Sequence, residues 1–249
     1  MKGKNIKMND SLSPTYEELY FRGVHKTSLV DFPGEVCTTL FCGGCNFRCP
    51  WCHNADLVLR PQVLPIFPAK EVIKLLERRR HLVEAVCVTG GEPTLSKGLE
   101  DFLVQLKNKG FKVKLDTNGT QPGVLARLLE KNLLDYVAMD IKAPPEKYDL
   151  LAGTKVEMTA LLESIKILKN SPIAYEFRTT VVPTLITLED LKAIGKWLLG
   201  ARCFVLQPFK ASSSLIDMTL AQLPPCPEEL LTKAASYLRY YFMKVEVRN

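Results

Sequence analysis

Six times along the chain, an apolar run of strand length is followed by an amphipathic helical stretch. The strand candidates are VCTTLF (36–41), AVCVT (85–89), KVKLD (112–116), YVAMD (136–140), YEFRTTVV (175–182) and CFVLQ (203–207). Between them apolar side chains recur at spacings of three and four: Val72, Ile73 and Leu76; Leu99, Phe102, Leu103 and Leu106; Val124, Leu125, Leu128 and Leu129; Met158, Leu161, Leu162, Ile165 and Leu168; Leu188, Leu191, Ile194 and Leu198. Parallel strands need a crossover long enough to hold a helix, so this alternation predicts βα units and excludes a sandwich or a bundle. Thr187–Leu–Glu–Asp190 predicts a capping box, and Gly110 and Gly200 stand where helices should stop. Eight units close a standard barrel. Six predict an α/β fold of the partial (β/α)6 barrel kind, open on one side.

At 249 residues, with 47% hydrophobic and 24% charged side chains, the chain can bury a large core. One domain with appendages is expected: a polar N-terminal leader over 1–22, the barrel over 23–210, and a C-terminal extension over 211–249 with a helix (228–240) and an edge strand. PQVLPIFP (61–68) reads as a surface connection and 211–227 as irregular chain. The leader has no apolar region, and no window approaches the ~18 apolar residues of a membrane span, so a cytoplasmic protein with no membrane partner is expected. The net charge of +6 is modest. Its densest run, Arg78–Arg80, closes a helix without interleaved aromatics, which argues against nucleic-acid binding.

Each strand is followed at once by residues that a packed core does not need: GGCNFRCPWCHN, GGEP, TNG, IKAP, PTLI and PFK. In barrels and open α/β sheets the ligand site lies at the carboxyl ends of the strands, so all six connections can line one mouth.

The first of these connections carries Cys42, Cys45, Cys49 and Cys52, with Cys37 just upstream. A reducing compartment disfavours disulfides and moves these thiols toward metal or redox chemistry. Structural zinc sites usually draw two close pairs from separated hairpins, which C-x2-C-x3-C-x2-C does not resemble. A thioredoxin-type dithiol would leave two thiols unexplained, and a plain ferredoxin orders its cysteines differently in a smaller domain. The remaining reading takes three of the four, Cys45-x3-Cys49-x2-Cys52.

That spacing, with Trp51 before the third cysteine and GGEP (90–93) after the next strand, resembles the radical S-adenosylmethionine enzymes. Within that superfamily, Cys52–His53–Asn54, Asp116–Thr–Asn–Gly119 and Asp140-x-Lys142 resemble the activating enzymes of glycyl radical proteins. KTSLVDFPGEVCTTLF (26–41) is similar to the longer-chain anaerobic ribonucleoside-triphosphate reductase activating proteins. The resemblance covers about residues 22–210 and implies the radical SAM type of partial barrel. It also implies a 4Fe-4S cluster on Cys45, Cys49 and Cys52, with one iron left open for S-adenosylmethionine. The cluster's electron would cleave the sulfonium to a 5'-deoxyadenosyl radical.

By the same resemblance the cofactor-binding residues are Trp51, His53, Gly90, Gly91, Glu92, Asp116, Asp140, Lys142, Arg178 and Lys210. Gly90 and Gly91 would allow close backbone approach, and Glu92 would accept hydrogen bonds from the cofactor. Asp116 and Asp140 would serve the cofactor or a cation. Arg178, amid apolar residues, needs an anionic partner such as the methionine carboxylate. Lys210 stands where pyruvate formate-lyase activators carry a histidine, and Cys42 is expected as a spectator near the cluster. Cys37, Cys87 and Cys203 are expected as small core residues on strands, and His25 and His81 as incidental. The implied partners are a glycyl radical protein, taken to be anaerobic ribonucleotide reductase, and a flavodoxin- or ferredoxin-type electron donor. The alternatives are activation of a pyruvate formate-lyase type enzyme and small-molecule chemistry like that of 7-carboxy-7-deazaguanine synthase.

Overall fold

The structure, a computed structural model, describes residues 16–248. Its strands are β1 (Tyr20–Phe21), β2 (Gly23–Ser28), β3 (Cys37–Cys42), β4 (Phe67–Pro68), β5 (Ala85–Gly90), β6 (Lys112–Thr117), β7 (Tyr136–Asp140), β8 (Ala174–Val181), β9 (Cys203–Pro208) and β10 (Lys244–Val247). The helices are α1 (Ala55–Leu59), α2 (Ala69–Arg78), α3 (Leu99–Asn108), α4 (Pro122–Glu130), α5 (Tyr148–Ala152), α6 (Met158–Asn170), α7 (Leu188–Trp197) and α8 (Glu228–Leu238). One eight-stranded sheet runs in the order β10-β9-β8-β7-β6-β5-β3-β2, and β1 pairs with β4 apart from it. All neighbours in the large sheet are parallel except β2, which runs antiparallel to β3. The ends of the order, β2 and β10, do not pair, so the wall stays unclosed.

The six strands expected from the sequence are present, with bounds shifted by a residue at most ends. The sequence did not mark β2, because GVHKTS is half-buried or exposed up to its last residue and offers no apolar run. Between the strands the helices turn their apolar stripes inward. Leu99, Phe102, Leu103 and Leu106 of α3 are buried, as are Leu161, Ile165 and Leu168 of α6, each fully buried side chain contributing roughly 1.5–3 kcal/mol. Thr187 and Asp190 form the capping box of α7: the Asp190 amide donates to Thr187 Oγ1 at 3.2 Å and the Thr187 amide donates to Asp190 Oδ2 at 2.9 Å. Gly110 and Gly200 follow their helices with φ of 76° and 84°, a conformation costly for any residue with a Cβ.

The Arg78–Arg80 run is used within the fold. Arg79 donates to Thr27 Oγ1, and Arg80 donates to the Gly110 carbonyl while its guanidinium lies 4.2 Å from the Phe111 ring centroid. The expected 1–22 leader falls mostly outside the described residues. Its described part holds a 3-10 turn (Tyr16–Glu18) and β1. In the 211–249 segment, β10 extends the sheet beyond β9. Among the described residues no helix is long and apolar enough to cross a membrane.

The KTSLVDFPG stretch folds under the amino ends of the strands, opposite the cysteine loop. Ser28 Oγ accepts from the amides of Val30 and Asp31, Asp31 accepts from Thr39 Oγ1 at 2.6 Å, and buried Phe32 packs on Tyr136 with ring centroids 5.9 Å apart. This stretch therefore plugs the sheet's lower end.

Candidate active site

The chain leaves β3 at Cys42 and enters a loop anchored to the next strand's end. The Gly91 amide donates to the Cys42 carbonyl at 2.9 Å and the Glu92 amide to the Gly44 carbonyl at 2.8 Å. A Cβ on Gly91 would lie 1.8 Å from the Gly44 oxygen, and Gly90 has φ of 115° with backbone atoms of Cys42 2.5 Å from its Cβ position. Both glycines are therefore required for two backbones to touch. Beyond this staple, Cys45, Cys49 and Cys52 line one cavity of about 270 Å3 at the carboxyl ends of the strands.

All three thiols are free. Burial pushes the Cys49 thiol up to about 12 and raises that of Cys45. Unbridged thiols grouped on one cavity, two of them held protonated by burial, are a donor set suited to a bound metal centre. Among the described residues no three His, Cys, Asp or Glu side chains converge closely enough for a single ion. A cubane takes each thiolate on a different iron, at wider spacing than a tetrahedral ion with bonds of about 2.3 Å demands.

The opposite wall is a chain of charges. Arg178 Nε donates to Asp140 Oδ1 at 2.8 Å, Lys142 Nζ donates to Asp140 Oδ2 at 3.0 Å, and Arg178 also reaches Asp116 Oδ2 at 3.3 Å. Lys114, fully buried two residues earlier on the same face of β6, pairs with Asp116 Oδ1. Burial alone would raise both aspartates, but the surrounding cations hold them below the usual carboxylate range. Three cations against two carboxylates leave one positive charge in excess in a buried place, which suits an anionic ligand group.

Of the residues singled out in the sequence, Trp51, His53, Gly90, Gly91, Asp116, Asp140, Lys142 and Arg178 line this cavity with the three cysteines. Glu92 and Lys210 do not, and their expected roles are corrected. Glu92 lies beneath the cavity, only 1% exposed. Its Oε1 accepts from Thr94 N, Thr94 Oγ1 and Thr117 Oγ1, and its Oε2 accepts from the Asn118 amide at 2.6 Å. The carboxylate is filled by the chain itself and positions the Thr117–Asn118 turn. Lys210 is exposed, and only its backbone carbonyl approaches, accepting from His53 Nε2 at 2.6 Å while the His53 ring stacks on Phe209. The remaining strand thiols lie outside the cavity: Cys42 is fully buried in β3, and Cys37 and Cys87 pack with Phe32 and Ala85.

Thr117 and Asn118, from the TNG connection expected at the mouth, also line the cavity; the sequence reading missed Thr180 and Gln207 there, and Lys114 behind them. Period-two alternation contained the signal for two of them: Thr180 is two residues beyond Arg178, and Lys114 two before Asp116, each on the inward face.

A mostly parallel sheet that does not close, with three thiols and an ion chain at its carboxyl ends, defines a cofactor-dependent α/β enzyme. The radical SAM superfamily profile matches residues 39–198, more than half the chain, and the chain belongs to that superfamily. Its members use a 4Fe-4S cluster and S-adenosylmethionine. A Methanocaldococcus jannaschii protein named "Putative glycyl-radical enzyme activating enzyme" is 30% identical over 239 residues, 91% of this chain and 95% of the relative. The pyruvate formate-lyase-activating enzyme of Clostridium pasteurianum is 29% identical over 168 residues, 65% of this chain and 68% of that one. Streptococcus suis SuiB, solved with its precursor peptide SuiA, superposes with a TM-score of 0.65 at 14% identity, over 85% of this chain and 48% of its own. The present chain thus spans about half the length of that structure, and the likeness is one of fold.

Proposed function

We propose that this protein is an activase. With Cys45, Cys49 and Cys52 holding a 4Fe-4S cluster, it would use S-adenosylmethionine to generate a glycyl radical on a partner, anaerobic ribonucleoside-triphosphate reductase. The observation that carries this reading is the single cavity on which the three thiols and the Asp116–Arg178–Asp140–Lys142 chain meet. When bound, the cluster and S-adenosylmethionine supply reductive cleavage of the sulfonium and abstraction of a hydrogen atom.

The chain's own residues bind, orient and shield. Arg178 and Lys142 carry the positive charge that a carboxylate would take up, and Asp140 fixes both of them in place. Gly90 and Gly91 let the backbone of the cysteine loop close onto the end of β5 at the cavity wall. Trp51, 4% exposed, and Phe47, 3% exposed, back the thiols with apolar surface that excludes water. β2 and β10 are unpaired, and a wall that does not close can admit a peptide as a closed one cannot. Hydrogen abstraction requires the reacting carbons within about 3–3.5 Å, so the partner's glycine loop must enter the cavity. The named relatives support the activase class; the reductase as partner rests on the resemblance of 26–41, a stretch at the far end of the sheet.

Anaerobic reconstitution with iron and sulfide, reduction, and addition of S-adenosylmethionine should release 5'-deoxyadenosine and methionine. With reductase deuterated at the glycine α carbon, deuterium should appear in the nucleoside and a glycyl doublet in the EPR spectrum. No nucleoside from an intact reduced cluster would overturn the chemistry. A doublet formed only with pyruvate formate-lyase would overturn the partner, and none with either would favour a small-molecule substrate.

A further inference from the structure

Most polar side chains on the active-site cavity are engaged by the chain itself. The two aspartates hold Arg178 and Lys142, Thr117 donates to Glu92 at 2.8 Å, Asn118 donates to Asn46 at 2.8 Å, and Asn54 donates to the Gly90 carbonyl at 3.1 Å. Among the described residues, the hydroxyls of Thr89 and Thr180 and the carboxamide of Gln207 line the same cavity and have no such partner. Thr89 stands apart on β5, next to Gly90. Thr180 and Gln207 stand together: they are register partners on the neighbouring strands β8 and β9, and both are half-buried.

Their place along the strands separates them from the charges. Arg178 is level with Asp140 of β7, and Thr180 lies two residues beyond Arg178 on the same face, roughly 7 Å nearer the carboxyl end. The wall is therefore layered. Ions that suit an anionic group lie deeper, and an uncharged pair lies outside them, nearer the mouth. A hydroxyl and a carboxamide each donate and accept, and neither carries a charge that would compete for a carboxylate.

We infer that Thr180 and Gln207 bind the peptide units that flank the substrate glycine, and so position its α carbon. The inference rests on the activase reading. Glycine has no side chain, so a site that must bring its α carbon to a reacting centre can grip only the amides on either side of it. Each peptide unit offers one N–H and one C=O. The Gln207 carboxamide matches both at once, with Nε2 donating to the carbonyl and Oε1 accepting from the N–H, which leaves the Thr180 hydroxyl for the second unit. Bonds of this kind fix how the glycine is turned, and hence which α hydrogen faces the radical. Neither side chain takes part in the hydrogen transfer itself. The adenine of S-adenosylmethionine also carries a donor and an acceptor on one edge, but the outer position favours the group that enters last and from the mouth.

The test reads cofactor and peptide separately. Gln207→Met and Thr180→Val keep the size of the side chains and remove their hydrogen bonds, while Thr180→Ser keeps the hydroxyl. In the cluster-loaded protein, S-adenosylmethionine affinity, read from EPR of the reduced cluster, should be unaltered in all three. Binding of a synthetic peptide carrying the reductase's glycine loop is measured by fluorescence anisotropy, with S-adenosylmethionine present and the cluster oxidised. It should weaken about three- to tenfold in Gln207→Met and in Thr180→Val, and recover in Thr180→Ser. With reductase deuterated at the glycine, a smaller share of the 5'-deoxyadenosine should carry deuterium in the two weakened variants, because cleavage continues while the α carbon is misplaced.

Peptide affinity and deuterium share both unchanged in Gln207→Met and Thr180→Val would overturn the inference. So would a loss of S-adenosylmethionine affinity with peptide affinity retained, the sign that the pair holds the nucleoside. If the unsubstituted protein cleaves S-adenosylmethionine but takes no deuterium from the reductase or from pyruvate formate-lyase, and binds neither glycine peptide, the activase reading fails and this inference with it. That failure shows before any substitution is made, whereas variants that match a competent unsubstituted protein sink the inference alone.

Discussion

Two ion networks occupy the inner side of the same sheet, one at each end. At the amino ends, Glu176 of β8 is fully buried; it receives both terminal nitrogens of Arg248, at 2.8 and 2.9 Å, and the Tyr136 hydroxyl at 2.7 Å. Glu246 links Arg248 to Lys244, so two cations meet two carboxylates. At the carboxyl ends, Arg178 lies two residues along the same strand and faces the same way, yet there three cations meet two carboxylates beside a cavity. The charge types are alike, but the closed network runs out to solvent at Lys244, 66% exposed, where the open one ends on Lys114, 1% exposed. What separates a structural lock from a binding site is whether the charge balance closes without a ligand.

The largest expected effect is at the closed end. Arg248→Met leaves Glu176 buried and without its cation, which should cost about 3–5 kcal/mol of stability, read as a lower urea midpoint. S-adenosylmethionine affinity of the folded fraction should be unaltered. If affinity falls with stability, the two networks are one unit and the contrast fails.

At the open end the pattern should invert. Lys142→Ala, which removes one charge-assisted partner from Asp140, should weaken S-adenosylmethionine binding by about 1.5–3 kcal/mol. The urea midpoint should shift less than in Arg248→Met. EPR changes of the reduced cluster on titration with S-adenosylmethionine would report the affinity, and an unchanged affinity would return Lys142 to a purely structural ion pair.

Lys114 sharpens the comparison further. Lys114→Met brings the open end to two cations against two carboxylates, so ligand affinity should drop by about tenfold, with recovery in Lys114→Arg. A loss of stability with no change in affinity would place Lys114 with the lock.

The smallest effect lies outside both networks and serves as a control. Asp190→Asn at the α7 cap should cost about 1 kcal/mol near neutral pH. Burial works against its ionisation, but the Thr187 amide and Lys147 hold the Asp190 carboxyl below its ordinary value. A depressed folded-state pKa contributes stability that is present above the unfolded value, near 3.9, and is lost as pH falls through the folded one. The difference between the two proteins in urea unfolding should therefore shrink as pH is lowered from 6 toward 3. A constant difference would assign the effect to packing.

These contrasts also show why some of the molecule was legible in sequence and some was not. The parallel strands announced themselves because strands buried on both faces read as short, largely apolar runs between helical stretches, and the polar residues ending them pointed to a ligand site. Asp116 and Asp140 were singled out on that ground, Arg178 as a guanidinium amid apolar residues, and the three cysteines by their spacing; all six line one cavity. Glu92 was misread because a carboxylate next to two glycines looks free in one dimension; its four donors come from Thr94, Thr117 and Asn118, and only folding unites these. The same holds for the Glu176–Arg248 pair, and for β2, whose exposed residues carry no pattern of burial. Lys210 failed by a different route: the chain turns after Phe209, and the backbone carbonyl takes the place near His53 that a side chain was expected to fill.

The closed network has a consequence in time. Arg248 and Glu176 are 72 residues apart in the chain. A ribosome releasing residues in order, at roughly 5–20 per second, would deliver the cysteine loop and every strand through β8 several seconds before Arg248. During that interval Glu176 has no cation and the β9–β10 edge is missing, so the nascent protein holds a nearly complete metal-binding mouth on a wall that is still short of its final strand. Loading of the cluster and completion of the sheet are therefore separable events, and an organism could carry out the first before the second.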